Sequence, residues 1–190
     1  AQYFFAQAIC AGRLLTAAPP WHWGPWFGNA LALGEQMGDD FRDGLVRAVG
    51  ATVRRVWRRG KYTVLEPDRA LPALVLHFRM TGKVVAAEPA VRRSVRLVLR
   101  LEPAVEHPSC VVFDDARRLG NAWARSPHGL AEWFQNARKL GPEPWPGVQS
   151  PAFWAAQLGT IRSPIKVALM RQDRVAGLGN IAASEILWRA

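Results

Sequence analysis

The sequence predicts an α+β protein, a mainly β first part followed by a helical second part. Three observations carry this. Short runs of apolar and β-branched residues recur up to Phe113, the apolar period lengthens toward 3.6 past Leu130, and two Ser-Pro pairs stand ahead of apolar runs near the end.

The composition fits such a fold. The 190 residues include 25 Lys+Arg and 15 Asp+Glu, a formal net charge of +10, yet 49% are hydrophobic and 21% charged. That apolar content excludes a basic disordered tail and supports one or two domains. Cys10 and Cys110 could form at most one disulfide, and no C-x-x-C spacing is present, so no cysteine-built metal site is expected within these residues. No apolar run approaches the roughly 18 to 20 residues of a spanning helix, and Ala1-Gln2-Tyr3-Phe4-Phe5 lacks the basic start of a signal peptide. A cytosolic, reduced protein without a membrane partner is expected. The chain has no initiator Met and stops at Trp188-Arg189-Ala190 inside an amphipathic pattern with no C-cap, so both ends are expected to be cuts.

In chain order, Phe4, Phe5, Ala8, Ile9 and Leu14 have near-helical spacing, which predicts a short helix over Tyr3 to Leu15 that breaks at Ala17-Ala18-Pro19-Pro20. Trp21-His22-Trp23-Gly24-Pro25-Trp26-Phe27-Gly28 then sets large aromatics among helix breakers. A loop covering a core edge and a base-stacking surface both fit it. Val53, Val56, Tyr62, Val64 and Leu65 mark a β-rich stretch, and Leu71 to Phe78 follows the turn-like Glu66-Pro67-Asp68 as its partner strand. Val95 to Leu101 and Cys110 to Phe113 are two further strands. Ser150-Pro151 and Ser163-Pro164 predict helix starts, because Ser accepts an orphan N–H and Pro has none to lose. A third helix should open near Asn180, after the loop Val175-Ala176-Gly177-Leu178-Gly179. Leu140-Gly141-Pro142-Glu143-Pro144-Trp145-Pro146-Gly147 is the expected junction, which divides the chain into domains 1–145 and 146–190.

The basic residues are grouped at Arg54-Arg55, Arg58-Arg59-Gly60-Lys61, Arg92-Arg93 and Arg117-Arg118, with Arg162 and Lys166 flanking a helix start. Clustered Arg and Lys on a folded scaffold with aromatics nearby are the footprint of a nucleic-acid binder; a merely solvated basic face is the alternative. Gly177-Leu178-Gly179-Asn180 before a helix suits phosphate capture, since a helix start offers unpaired N–H groups and a positive dipole end. A plain helix-to-helix turn would look the same.

Five motifs occur in one order: Arg58-Arg59-Gly60-Lys61-Tyr62; His77-Phe78-Arg79-Met80-Thr81-Gly82; Asp115-Ala116-Arg117-Arg118-Leu119-Gly120; Leu140-Gly141-Pro142-Glu143-Pro144; and Ile165-Lys166 leading to Ala176-Gly177-Leu178-Gly179-Asn180-Ile181-Ala182-Ala183-Ser184-Glu185. The series, from about Phe41 to the last residue, resembles the formamidopyrimidine-DNA glycosylase and endonuclease VIII family of base-excision repair enzymes. The resemblance implies a β-sandwich domain followed by a helix-two-turns-helix DNA-binding domain, with damaged double-stranded DNA bound in the cleft between them by a monomer. It also implies a cytoplasmic protein, associated with the nucleoid in a bacterial cell.

Residue by residue, Lys61 resembles the family's hairpin lysine, which sits beside the target phosphate and donates a proton in strand cleavage. An ammonium there both neutralises the phosphodiester and relays a proton. Met80 resembles the residue that fills the gap left by an extruded nucleotide, Arg117 the one that faces the orphaned base, and Leu119 stands where the family often has Phe. An apolar wedge offsets the few kcal/mol that unstacking costs. Asn180 resembles the family's phosphate-clamping asparagine, and also suits a plain helix N-cap. Arg118, Arg162 and Lys166 supply backbone charge by the same resemblance, and Arg92 falls where the family often places a DNA-contacting histidine. Ala116 and Leu119 replace the family's Pro and Phe in this motif, which leaves the opposite-base preference open.

The family's nucleophile is a mature N-terminal proline, which attacks the sugar C1′ to form a Schiff base, with the adjacent glutamate as acid/base. No Pro-Glu pair precedes Tyr3 here. The family's C-terminal zinc or zincless finger would lie beyond Ala190, so zinc is expected only there and no cofactor in these residues. The complete protein is therefore expected to be a DNA glycosylase with abasic-site lyase activity. A non-catalytic DNA-binding relative and an RNA-binding basic protein are the alternatives. Borohydride trapping on abasic DNA separates the first two: an adduct is expected from a chain carrying a Pro-Glu start and not from these 190 residues. Efficient trapping by the 190 residues would mean that the nucleophile lies within them, with Lys61 the first suspect.

Overall fold

The structure, a computed structural model, describes residues 14–18, 44, 46–86, 94–102, 109–145 and 149–190. The chain divides into two compact units, one of Ala1–Arg58 and Tyr62–Pro127, the other of Arg59–Lys61 and His128–Ala190. The helical unit thus takes in residues 128–145 and a three-residue hairpin tip that lie on the β side of the junction expected from the sequence.

The first unit holds the strands β1 (Leu14–Ala18), β2 (Val53–Arg59, whose last residue belongs to the second unit), β3 (Tyr62–Pro67), β4 (Ala73–His77), β5 (Lys83–Ala86), β6 (Val95–Leu101), β7 (Cys110–Asp114) and β8 (Asn121–Arg125). They form two four-stranded sheets in the orders β1-β6-β7-β5 and β2-β3-β4-β8. The pairs β1–β6, β3–β4, β4–β8, β5–β7 and β6–β7 are antiparallel. Period 2 explains the sandwich. Leu97, Leu99 and Leu101 of β6 and Val111 and Phe113 of β7 share one buried cluster with Leu65, Leu74, Leu76, Ala122 and Ala124 of the other sheet. Alternate residues of β4, β6, β7 and β8 face this common core, and every buried Leu contributes roughly 1.5–3 kcal/mol through its removal from water. The α+β class and the β-sandwich implied by the resemblance are therefore what the chain adopts.

Two local expectations for this unit differ from the structure. Leu14-Leu15 lies in β1, where Leu14 faces Leu101 and Thr16 faces Arg100 across a register shift, and not at the end of a helix. Backbone pairing along the edge of β6 overrides the local helical spacing, which is a weak preference over so few residues. The rest of the segment expected to be helical, and the aromatic run 21–28, lie outside the described residues. The β-rich stretch after Thr52 is two strands and not one, because Gly60 at φ +58° reverses the chain where a side chain would be strained. Strands β5 and β8 had no expectation at all. Asn121-Ala122-Trp123-Ala124-Arg125 has no β-branched residue, and only its five-residue register with β4 makes it a strand.

The helical unit has α1 (Pro127–Glu132, whose first residue belongs to the β unit), running into a π-helical turn at Trp133–Ala137, then α2 (Pro151–Gly159), α3 (Ile165–Met170) and α4 (Asn180–Arg189). Ser150 caps α2 as expected, with its Oγ accepting from Phe153 N at 3.1 Å and Pro151 at the first helical position. Ser163 does not cap α3. Its N-cap is Pro164, extended at ψ 143°, with no side-chain cap hydrogen bond. The helix begins one residue later than the Ser-Pro pattern implies. These two serines give a paired prediction for chemical denaturation. Ser150→Ala should cost about 1 kcal/mol through the lost cap, and Ser163→Ala should stay within about 0.5 kcal/mol; equal effects would contradict the assignment.

Candidate nucleic-acid interface

In the β unit, the turn His77–Gly82 joins β4 to β5. Gly82 N donates to Phe78 O at 2.9 Å, and Arg79 takes φ 52°. Its tip, Met80, is 75% exposed. The loop Asp115–Gly120 joins β7 to β8, with Arg118 N donating to Asp115 O at 3.1 Å and Arg118 at φ 57°. It carries exposed Arg117 and Leu119 beside half-buried Arg118. The two loops are pressed onto one ring. A methyl on Gly82 would lie 2.8 Å from Phe113 Cε2, and one on Gly120 would lie 2.4 Å from Phe113 Cζ and 3.2 Å from His77 O. Thr81 Oγ1 donates to Asp115 Oδ1 at 2.5 Å, and Gly120 N donates to Asp115 Oδ2 at 2.6 Å. Met80, Arg117 and Leu119 are thereby carried at one end of the sandwich on backbone that cannot spread.

In the helical unit, Lys61 stands on the hairpin tip. Glu143 accepts from the Gly60 amide and from Arg59 Nη1, the latter at 3.1 Å, while Arg59 Nη2 donates to the carbonyls of Leu140 and Gly141 at 3.2 and 2.7 Å. The tip is thus fixed to the segment 140–143. That segment is itself fixed, since Gly141 N donates to Gln172 O and Ala176 N to Pro142 O, both at 2.9 Å. Gln172 shapes the next loop: its Nε2 donates to Met170 O and Leu178 O at 2.8 Å, and its Oε1 accepts from Gly177 N at 3.0 Å. Gly177, at φ +96°, supplies the left-handed backbone that this turn needs. The outcome is that Lys61 Nζ would lie 3.7 Å from a Cβ on Gly179, beside the backbone entering α4.

Gly179 and not Asn180 is the N-cap of α4, and it offers no side-chain cap. Asn180 is the first helical residue and is exposed, so the first-turn N–H groups and the Asn180 amide remain available to an anion. Arg162 is exposed between α2 and α3, and Lys166 is half-buried in the first turn of α3. Arg92 lies outside the described residues. The basic groups near β2 are not all alike. Arg54 pairs with Glu66, the Arg55 guanidinium sits 5.5 Å from the Trp57 ring centroid, and Arg59 is consumed by Glu143. Among the described residues, no group of three or more His, Cys, Asp or Glu is placed to hold a metal. Glu143 and Asp115 lie within the ordered motifs and Gln172 outside them, and all three act through partners that spacing does not reveal.

The chain is similar to known proteins over most of both units. The family model described as the formamidopyrimidine-DNA glycosylase N-terminal domain matches residues 32–122, and that described as the formamidopyrimidine-DNA glycosylase H2TH domain matches residues 140–190. A formamidopyrimidine-DNA glycosylase of Cereibacter sphaeroides is 36% identical over 154 residues, covering 76% of this chain and 52% of the relative. One from Streptococcus agalactiae is 32% identical over 151 residues, covering 80% and 54%. The chain spans about half the length of the curated relatives it matches. Among solved structures, MutM in complex with carbocyclic 8-oxo-G containing DNA matches with TM-score 0.79 at 24% identity over 98% of this chain and 65% of that one. Lactococcus lactis formamidopyrimidine-DNA glycosylase non-covalently bound to an AP-site DNA also gives 0.79, at 23% identity over 98% and 64%. These two likenesses show the fold.

Partial burial holds the Lys61 ammonium below the ordinary lysine value of 10.5, because the charged form loses hydration. Between the folded value and 10.5 the unfolded chain binds more protons than the folded one, so this contribution to stability rises with pH through that window and is a constant cost below it. An NMR titration of the Lys61 side chain should give a midpoint below 10.5, and Lys61→Met should abolish the matching rise in melting temperature. A midpoint at or above 10.5 would contradict the burial of the amine.

Proposed function

The chain belongs to the formamidopyrimidine-DNA glycosylase family, and on that premise we propose that it serves base-excision repair as part of a DNA glycosylase and abasic-site lyase that removes oxidised bases from double-stranded DNA. The observation that carries the reading is the pair of exposed apolar tips, Met80 at 75% and Leu119 at 43%, mounted beside Arg117 on loops locked to one ring. Such an apolar side chain, held in water on a fixed turn, leaves much of its surface unburied by the fold. It suits insertion into a base stack, where its burial offsets the few kcal/mol that extruding a nucleotide costs.

In this reading, Met80 and Leu119 occupy the space of the extruded nucleotide, and Arg117 offers the donors of a planar guanidinium to the orphaned base. Lys61, with a proton held less tightly than usual, neutralises the phosphodiester next to the lesion and can pass a proton to a leaving oxygen. Asn180 and the first-turn N–H groups of α4 hold a phosphate, and Arg118, Arg162 and Lys166 add backbone charge. The protein acts as a monomer in the cytoplasm, on the nucleoid of a bacterial cell. No helix among the described residues is long and apolar enough to cross a membrane.

Fluorescence anisotropy tests the reading. The 190-residue chain should bind a duplex with a tetrahydrofuran abasic analogue at least about tenfold more tightly than the undamaged duplex. Met80→Ala should remove most of that preference while leaving undamaged-duplex affinity within about twofold, because a wedge acts only where a nucleotide is displaced. Equal affinity for both duplexes, or preference for structured RNA, would sink the repair assignment.

A further inference from the structure

Asp115 stands outside the residues so far given a role at DNA, yet it is 1% exposed at the base of both tips. Each of its oxygens serves a different loop. Oδ1 takes the Thr81 hydroxyl, one residue from Met80, and Oδ2 takes the Gly120 amide, one residue from Leu119. Its own amide donates to Ser94 O at 2.9 Å, which fixes the carboxylate to the end of β6 as well. Arg96, 4% exposed, supplies the compensating charge: its guanidinium loses protonated stability through burial and the neighbouring Arg118 cation, and regains some from Asp115. A buried carboxylate with two donors and a nearby cation has only one arrangement of low energy, so the loops it joins share that arrangement.

Resting on the proposed repair function, we infer that Asp115 is a positioning residue that clamps the Met80 turn and the Arg117–Leu119 loop into a single unit, so that lesion preference depends on the two loops moving together. Without the clamp each loop would retain its own closing hydrogen bond, Gly82 N to Phe78 O in one and Arg118 N to Asp115 O in the other. Each could then approach DNA alone, at the entropic cost of fixing two wedges and not one.

Thr81→Val tests the clamp from one side, since it removes the hydroxyl and keeps the volume. Hydrogen exchange without DNA should speed at Gly120, on the other loop, and Thr81→Ser should restore protection. Asp115→Asn, which keeps one acceptor oxygen, serves as the second variant should Thr81→Val fail to fold. The preference of the 190-residue chain for the tetrahydrofuran duplex over the undamaged one should fall about tenfold in Thr81→Val and recover in Thr81→Ser. Undamaged-duplex affinity should stay within about twofold, which general destabilisation would not allow. Unchanged exchange at Gly120 in both variants would overturn the clamp. Faster exchange with lesion preference intact would overturn its role at DNA. Lack of any lesion preference in the unsubstituted chain would count against the repair function, while the exchange data would still decide the clamp.

Discussion

The carboxylate of Asp115 accepts from the Thr81 hydroxyl and the Gly120 amide inside a site with almost no exposed surface. That pairing sets where the end of the sandwich can place its side chains. Phe113 completes it from below, because its ring leaves no room for a Cβ at either Gly82 or Gly120. The core of the β unit and its exposed tips are therefore one mechanical object. Leucines and valines of both sheets bury the ring, the ring seats the glycines, and the glycines fix the turns that hold Met80 and Leu119 in water.

The helical unit solves a similar problem with hydrogen bonds to the main chain. Lys61 is on a tight turn, which by itself would let a long side chain wander. Glu143 takes the amide of Gly60 and the guanidinium of Arg59, and Gln172 ties the following loop to both 141 and 177. The amine ends beside the start of α4, partly stripped of water and with a lowered proton affinity. The net charge of +10 is thus not a uniform coat. Arg54 and Arg59 are spent on Glu66 and Glu143, whereas Lys61, Arg117 and Asn180 are attached to structures that aim them.

Much of this was legible in the sequence, for identifiable reasons. Period-2 alternation in Val95–Leu101 and the Ser150-Pro151 cap are local signals, and both became the elements they imply. The ordered motifs pointed to a sandwich and a helix-two-turns-helix unit, and the chain has both. What was not legible depends on distant partners. Strand β8 exists through its ladder with β4, and β1 through its ladder with β6. Asp115 meets Thr81 across 34 positions and Glu143 meets Gly60 across 83, so the motifs that contain these carboxylates do not reveal their partners. Ser163 shows the reverse failure, a correct local pattern whose helix starts one residue late.

The proposed function requires two particular surfaces, and not diffuse positive charge, to meet damaged DNA. Hydrogen-exchange mass spectrometry of the 190-residue chain, with and without a duplex holding a tetrahydrofuran site, tests it most directly. The account predicts protection on binding at 77–82 and 115–120 in the β unit and at 60–61 and 177–182 in the helical unit, weaker with undamaged duplex. Protection confined to the arginines of β2, or equal for the two duplexes, would contradict it.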